Sequence, residues 1–233
     1  MNTRTYRVPP RDQIPLFSFM INALENARCQ IIHRSSPETA PFRITYKAPS
    51  GERAGIVAYA FLASAKASRN QPGATHRFQA TYGARDRRLH ELWQDPYGIF
   101  TTLLVGINPD LGFFVGADPV LHSPTRFPIS IEFNDAAVKE IVARGWHVWE
   151  RDGGVDKDRP VEILVGGTAD SLLPYLAFEH TALGQDQGHR HLLAEKLAPP
   201  PRVRVPHPEP HPITTPPQGQ RARGLPRARP PET

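Results

Sequence analysis

Two acids within one short stretch, Asp118 and Glu132, offer the most specific chemistry that residue types and spacing suggest in this chain. They belong to GFFVGADPVLHSPTRFPISIEFN, residues 112–134, which reads as two short strands joined by a proline-punctuated loop. Side chains alternate across a strand, so Phe113, Val115 and Ala117 share one face of the first, and Phe114, Gly116 and Asp118 the other. In the second strand Ile129, Ile131 and Phe133 share a face, with Ser130, Glu132 and Asn134 opposite. Asp118 and Glu132 then end strands expected to lie side by side. A carboxylate that closes a core strand costs free energy unless it is paired or coordinated. The pair is therefore a candidate metal site.

The elements needed to position these acids are legible from periodicity. Leu16, Phe17, Met20, Ile21, Leu24, Ala27 and Ile31 recur at three- and four-residue spacing, which predicts an amphipathic helix over 16–32, with Pro15 in its first turn. Glu25 falls one position past the apolar stripe, and the plain reading makes it a solvated helix residue. FRITYKA and AGIVAYAFLAS flank a Ser-Gly turn as a hairpin, followed by strands in HRFQATYG and IFTTLLVGI. Asn134-Asp135 opens a helix that closes at Gly145. WHVWE and VEILVGG are strands, Thr168 caps the helical run ADSLLPYLAF, which Pro174 would kink or break, and a polar helix near HRHLLAEKL finishes the fold. The expected class is α/β or α+β, one domain over 16–198 with a mixed sheet between helices, after a lead-in of residues 1–15.

Composition bounds the function classes. Twelve of the 26 prolines fall in residues 199–233, which also carry six Arg against two Glu and few apolar residues. That tail is expected to be disordered, and it supplies most of the formal net charge of +5. The high pI is thus mostly a tail property and does not make the folded part a nucleic-acid binder. The lone cysteine, Cys29, excludes an internal disulfide and reads as a small core residue. No apolar run is long enough to span a membrane and the N-terminus lacks a secretory core, so a soluble cytoplasmic protein is the simplest expectation.

The order of a helix bearing an acid, antiparallel strands, Asp-x13-Glu-x-Asn, then a helix and a strand resembles the core of the PD-(D/E)xK nuclease superfamily, which includes many restriction endonucleases. The resemblance covers about residues 16–152. In such enzymes acids on successive strands hold a divalent ion that polarises the scissile phosphate and activates water, assisted by a Lys. The resemblance implies Mg2+ as cofactor, Asp118 as the first acid, Glu132 as the second, and Glu25 as the helix acid that some members use. It departs two residues after the second acid, where Asn134 replaces Lys. An amide supplies neither positive charge nor an exchangeable proton near neutral pH. Either Lys139 reaches in from the next helix or the site tolerates Asn134. The plainer alternative makes Asn134 or Asp135 a helix cap and pairs Glu132 with an arginine such as Arg126.

Other residue groups carry weaker signals. Lys66, Arg69, Arg77, Arg85, Arg87 and Arg88 surround the first strands and would track a DNA backbone, or form an ordinary solvated surface. The run Trp93 to Tyr97 would offer aromatics to an unstacked base, or pack a turn against the core. Gly166 and Gly167 read as a turn between strand and helix, with an anion cradle as the less favoured alternative. His180, His189 and His191 lack the spacing of a metal set.

Two functions therefore stand side by side: a metal-dependent nuclease acting on DNA in restriction or defence, and a non-catalytic module on the same scaffold that binds nucleic acid or protein. The expected partners are DNA, a second copy of the chain as a homodimer, and a protein that recognises the proline-rich tail. No membrane is among them.

Overall fold

The computed structural model describes residues 5–7, 10–66, 75–80, 89–126, 128–151 and 161–201. The chain divides into Met1–Arg202 and Val203–Thr233; the second unit, and with it the expectation of a disordered tail, lies outside the described residues.

In chain order the elements are β1 (Tyr6–Arg7), α1 (Pro10–Asn26), β2 (Gln30–Arg34), β3 (Thr39–Ala40), β4 (Phe42–Lys47), β5 (Arg53–Lys66), β6 (Thr75–Ala80) and β7 (Leu89–His90). There follow β8 (Phe100–Asn108), β9 (Phe113–Ala117), β10 (Thr125–Arg126), β11 (Ile129–Asn134), α2 (Asp135–Arg144), β12 (Trp146–Arg151) and β13 (Glu162–Thr168). A 3-10 turn, Ala169–Ser171, leads into α3 (Leu172–Ala182), and α4 (Gln187–Lys196) ends the described fold. The mixed sheet flanked by helices is the architecture expected from the sequence.

The 14-residue strand β5 organises the main sheet. Its first half pairs antiparallel with β4, its middle runs parallel to β8, and its last four residues pair with β6. The sheet order is β11-β6-β5-β8-β9-β13-β12, with β2 and β4 branching from β5. Its two ends approach each other: the Arg151 guanidinium of β12 donates to the Ser130 carbonyl of β11 at 3.3 Å, and Phe133 lies 6.3 Å from Trp149 between ring centroids.

Each sheet face carries its own core. Ile44, Ile56, Ala58 and Val105 pack under Leu16, Met20 and Leu24 of α1 and under Leu172 and Leu176 of α3. Val57, Tyr59, Phe113 and Val115 pack on the other face with Phe78, Ile131 and Phe133, and α2 adds Val138 and Ile141. Strands covered on both faces need apolar residues at consecutive positions, which explains the unbroken run FFVGA in β9.

Three expectations about the elements need correction. The first helix ends at Asn26, where Arg28 turns to φ 61°, and Ile31 belongs to edge strand β2. Gln30 to Arg34 pair with β4, and that ladder overrides the continued helical spacing. Pro15 lies inside α1, beyond its first turn. Pro174 occupies the first turn of α3, where its missing N–H costs no helical bond, so it starts this helix without breaking it. Among the described residues no helix is long and apolar enough to cross a membrane.

Close packing makes one glycine a test of this arrangement. A Cβ on Gly106 would fall 2.2 Å from the Phe78 ring, which stacks on Phe61. Gly106→Ala is expected to destabilise the chain by about 1–3 kcal/mol, read as a lower urea midpoint with unchanged slope.

Candidate functional site

Asp118 follows β9 and is only 3% exposed, so its carboxylate needs partners within the fold. It finds three. Oδ1 accepts from the Val120 amide at 2.9 Å, Oδ2 accepts from Gln187 Nε2 at 2.8 Å, and Arg190 Nε lies 3.4 Å from Oδ2. The last contact is an ion pair without hydrogen-bond alignment, because that Nε has no hydrogen-bond partner. Gln187 and Arg190 are three residues apart on α4, hence on one helix face, and Asp186 caps that helix by accepting from the His189 amide.

Arg190 is itself 1% exposed. Its Nη2 donates to both Glu179 oxygens, at 2.9 and 3.0 Å, and its Nη1 donates to the Ala182 carbonyl at 3.3 Å. The guanidinium carbon sits 4.9 Å from the centre of the Phe178 ring. Tyr175, one turn before Glu179 on α3, donates its hydroxyl to Glu179 Oε1 at 2.9 Å. Two carboxylates therefore share one guanidinium, with all three side chains buried. The Glu179 carboxyl is pushed up to about 7: burial is the largest cause, Arg190 pulls the other way, and the charge of Asp118 adds to the rise.

A second arm starts at the Asp118 amide, which donates to Glu162 Oε1 at 3.3 Å. Glu162 opens β13, is 5% exposed, and has His122 Nε2 at 2.8 Å and Arg151 Nη1 at 2.7 Å. Although burial by itself would raise it, the Glu162 carboxyl stands below its ordinary value, because the hydrogen bond and charge of His122, then Arg151, outweigh that cost. Gln187 joins the arms, since its Oε1 accepts from the Ile163 amide at 2.8 Å.

The expected partner of Asp118 lies elsewhere. β6, β5 and β8 separate β11 from β9 in the sheet order, so Asp118 and Glu132 are not on neighbouring strands. Glu132 is an exposed residue of β11 directly opposite Arg77 of β6. The route between the acids is relayed through Glu162 and Arg151 to the Ser130 carbonyl. Asn134 caps α2, its side-chain oxygen accepting from the Ala137 amide at 2.8 Å, and Lys139 Nζ lies 2.8 Å from Asp135 on its own helix. Glu25 is exposed in the last turn of α1. Arg69, Arg85, Arg87 and Arg88 lie outside the described residues, as do the side chains of Lys66 and Arg126.

The other motifs resolve by packing. Gly166 and Gly167 lie within β13, paired with Val115 and Phe114, and a Cβ on Gly166 would fall 2.2 Å from Ile141. They make room for side chains; they do not form a turn. Thr168 precedes the 3-10 turn without a side-chain cap. Trp93 packs edge-on against Phe100 at 6.2 Å, while Tyr97 is 84% exposed. Cys29 is buried, though just past α1.

Sequence reasoning passed over Glu162, Glu179, Gln187 and Arg190. One signal was present: Glu179 interrupts the apolar run of α3 one turn after Tyr175, where an unpartnered carboxylate would oppose burial.

The shared guanidinium makes two stability predictions. Arg190→Met should cost about 3–5 kcal/mol by leaving buried acids uncompensated, with much of it regained when Asp118→Asn and Glu179→Gln are added. Because the Glu179 pKa is raised from 4.5 to about 7, the folded chain binds more protons in that interval and this group's contribution to stability falls as pH rises through it. Urea midpoints measured across that range should therefore decline with pH relative to those of Glu179→Gln. Parallel curves would show that Glu179 titrates as an ordinary acid.

Comparison with known proteins gives one family. Residues 54–176, just over half of the 233-residue chain, match the model of Methylase-associated X1. No curated protein and no solved structure matches the chain. The matched stretch runs from the start of β5 into α3, and so takes in Asp118, Glu132 and Glu162 but stops short of Glu179, Gln187 and Arg190. With that stretch comprising most of the central sheet, the chain belongs to the Methylase-associated X1 family.

Proposed function

We propose that this chain is an accessory module in a restriction–modification setting, binding DNA beside a methylase without cutting it. The family description supports the methylase setting. The observation that carries the non-cutting half is the state of Asp118. Its oxygens already accept two N–H groups, and a guanidinium stands 3.4 Å away. A divalent cation there would meet a fixed positive charge and would have to displace buried hydrogen bonds. Glu132, the second acid of the nuclease resemblance, is on β11, which three strands separate from β9 in the sheet order. These residues do not fit a shared Mg2+ ion, and Asn134 and Lys139 are engaged on α2.

On this reading Arg190, Glu179 and Glu162 belong to the scaffold, and contact with DNA is made by surface cations. The test pairs two assays. Plasmid DNA, modified and unmodified, incubated with Mg2+ or Mn2+ should remain supercoiled with wild type and with Glu132→Ala alike. Labelled duplexes, methylated and unmethylated, should bind with an affinity that falls steeply with salt. Metal-dependent nicking that disappears in Glu132→Ala would overturn the proposal in favour of the nuclease. Neither cutting nor binding would move the function to a protein partner.

A further inference from the structure

Charge is sorted by strand in the main sheet. In β2, β4, β5 and β6 the fully charged side chains are Arg34, Arg43, Lys47, Arg53, Lys66 and Arg77, and those strands contain no Asp or Glu. The acids of the sheet, Glu132, Glu150 and Glu162, belong to β11, β12 and β13.

Strand alternation then gathers three of the cations on one face. Phe42, Ile44 and Tyr46, with Ile56 and Ala58 of β5, turn toward the core that includes α1. Arg43, Thr45 and Lys47 therefore face the other way, together with Arg53 and Gly55. Lys47 stands directly opposite Arg53 in the ladder, and on the next strand Gln30 is opposite Lys47 and His33 opposite Thr45. Lys47, Arg53, Gln30 and His33 are exposed.

Like charges directly opposite one another destabilise a ladder. Among the described residues no acid forms an ion pair with Arg43, Lys47 or Arg53. Glu52, in the adjoining turn, is within electrostatic reach of Tyr46, whose ring belongs to the opposite face. Asp95, in the loop bordering this face, is 8% exposed, and its carboxylate accepts from the amides of Tyr97, Ile99 and Phe100. Arg43 adds a buried Nε without a hydrogen-bond partner. The face thus carries concentrated positive charge at a cost to stability, although residues 1–198 as a whole are close to neutral.

We infer that Arg43, Lys47 and Arg53 form a contact surface for the phosphate backbone of DNA. This inference rests on the DNA-binding reading above and gives it a place in the fold. These cations lie before the stretch that matches the family model, and they are distinct from the basic cluster around Arg85.

The test is fluorescence anisotropy of a labelled DNA duplex over a salt series, with full-length wild type, Lys47→Gln/Arg53→Gln, Thr45→Lys, and Arg144→Gln as control. Arg144 is paired with Glu140 on α2, which packs chiefly on β12 and β13 and not on β4. The double variant should bind on the order of tenfold more weakly and lose up to about two units of the slope of log affinity against log salt, at about 0.9 per phosphate contact. Its thermal midpoint should equal or exceed that of wild type, because a repulsion has been removed; a merely structural pair would lower it. Thr45→Lys should tighten binding, and Arg144→Gln should leave it unchanged. Wild-type affinity and slope in the double variant would overturn this surface while leaving DNA binding intact. A wild type that binds no duplex would overturn both.

Discussion

A guanidinium held between two buried carboxylates is the constraint on which the helical layer of this protein depends. Arg190 is almost fully enclosed, and stripping water from a charged group costs several kcal/mol unless its donors are satisfied. Glu179 supplies a two-oxygen acceptor, Asp118 a second negative charge, Ala182 a carbonyl and Phe178 a ring face. These partners come from α3, including its last residue Ala182, and from the end of β9, so one side chain of α4 fixes how the last two helices sit on the sheet. An apolar residue of similar size would fill the space without such directional demands. The ionic version specifies one arrangement, and two acids around a single cation leave Glu179 with its raised pKa.

The same arrangement determines what Asp118 can do. A carboxylate that is buried, doubly hydrogen-bonded and beside an arginine has little capacity left for a metal ion. The acid near the end of the neighbouring strand is Glu162, not Glu132, and it too is enclosed by His122 and Arg151. The chain has thus placed several acids in its interior and surrounded each with donors. That pattern is one of scaffolding, and among the described residues Arg43, Lys47 and Arg53 of β4 and β5 are cations without an ion-pair partner.

Long strand β5 joins these two regions. Its first residue, Arg53, lies on the cationic face, while its middle holds the parallel pairing with β8 that leads through β9 to Asp118. Because the strand is 14 residues long, it accepts different partners along its length, and the sheet can turn until β11 and β12 approach each other. The acids of the sheet end up on the strands at and near that approach, away from the basic half.

Much of the fold was legible in the sequence alone. Apolar periodicity, capping residues and local composition together located the four helices of the described residues and most long strands, the Asn134 cap and Gly145 stop of α2 were read directly, and residue counts separated tail charge from body charge. These features are local: they depend on neighbours a turn or a pleat away. β2 was misread because Ile31 continues the helical spacing of α1, and only the ladder with β4 overrides it. The partnership of Asp118 was misassigned because closeness along the chain suggested Glu132, whereas sheet order is set by which strands β5 recruits. Arg190 joins Asp118 from 72 positions further on, a distance that no spacing rule encodes. Sequence determined which residues had to be buried and which had to find partners; tertiary packing chose those partners, since burial imposes a demand on a charged group without naming who meets it.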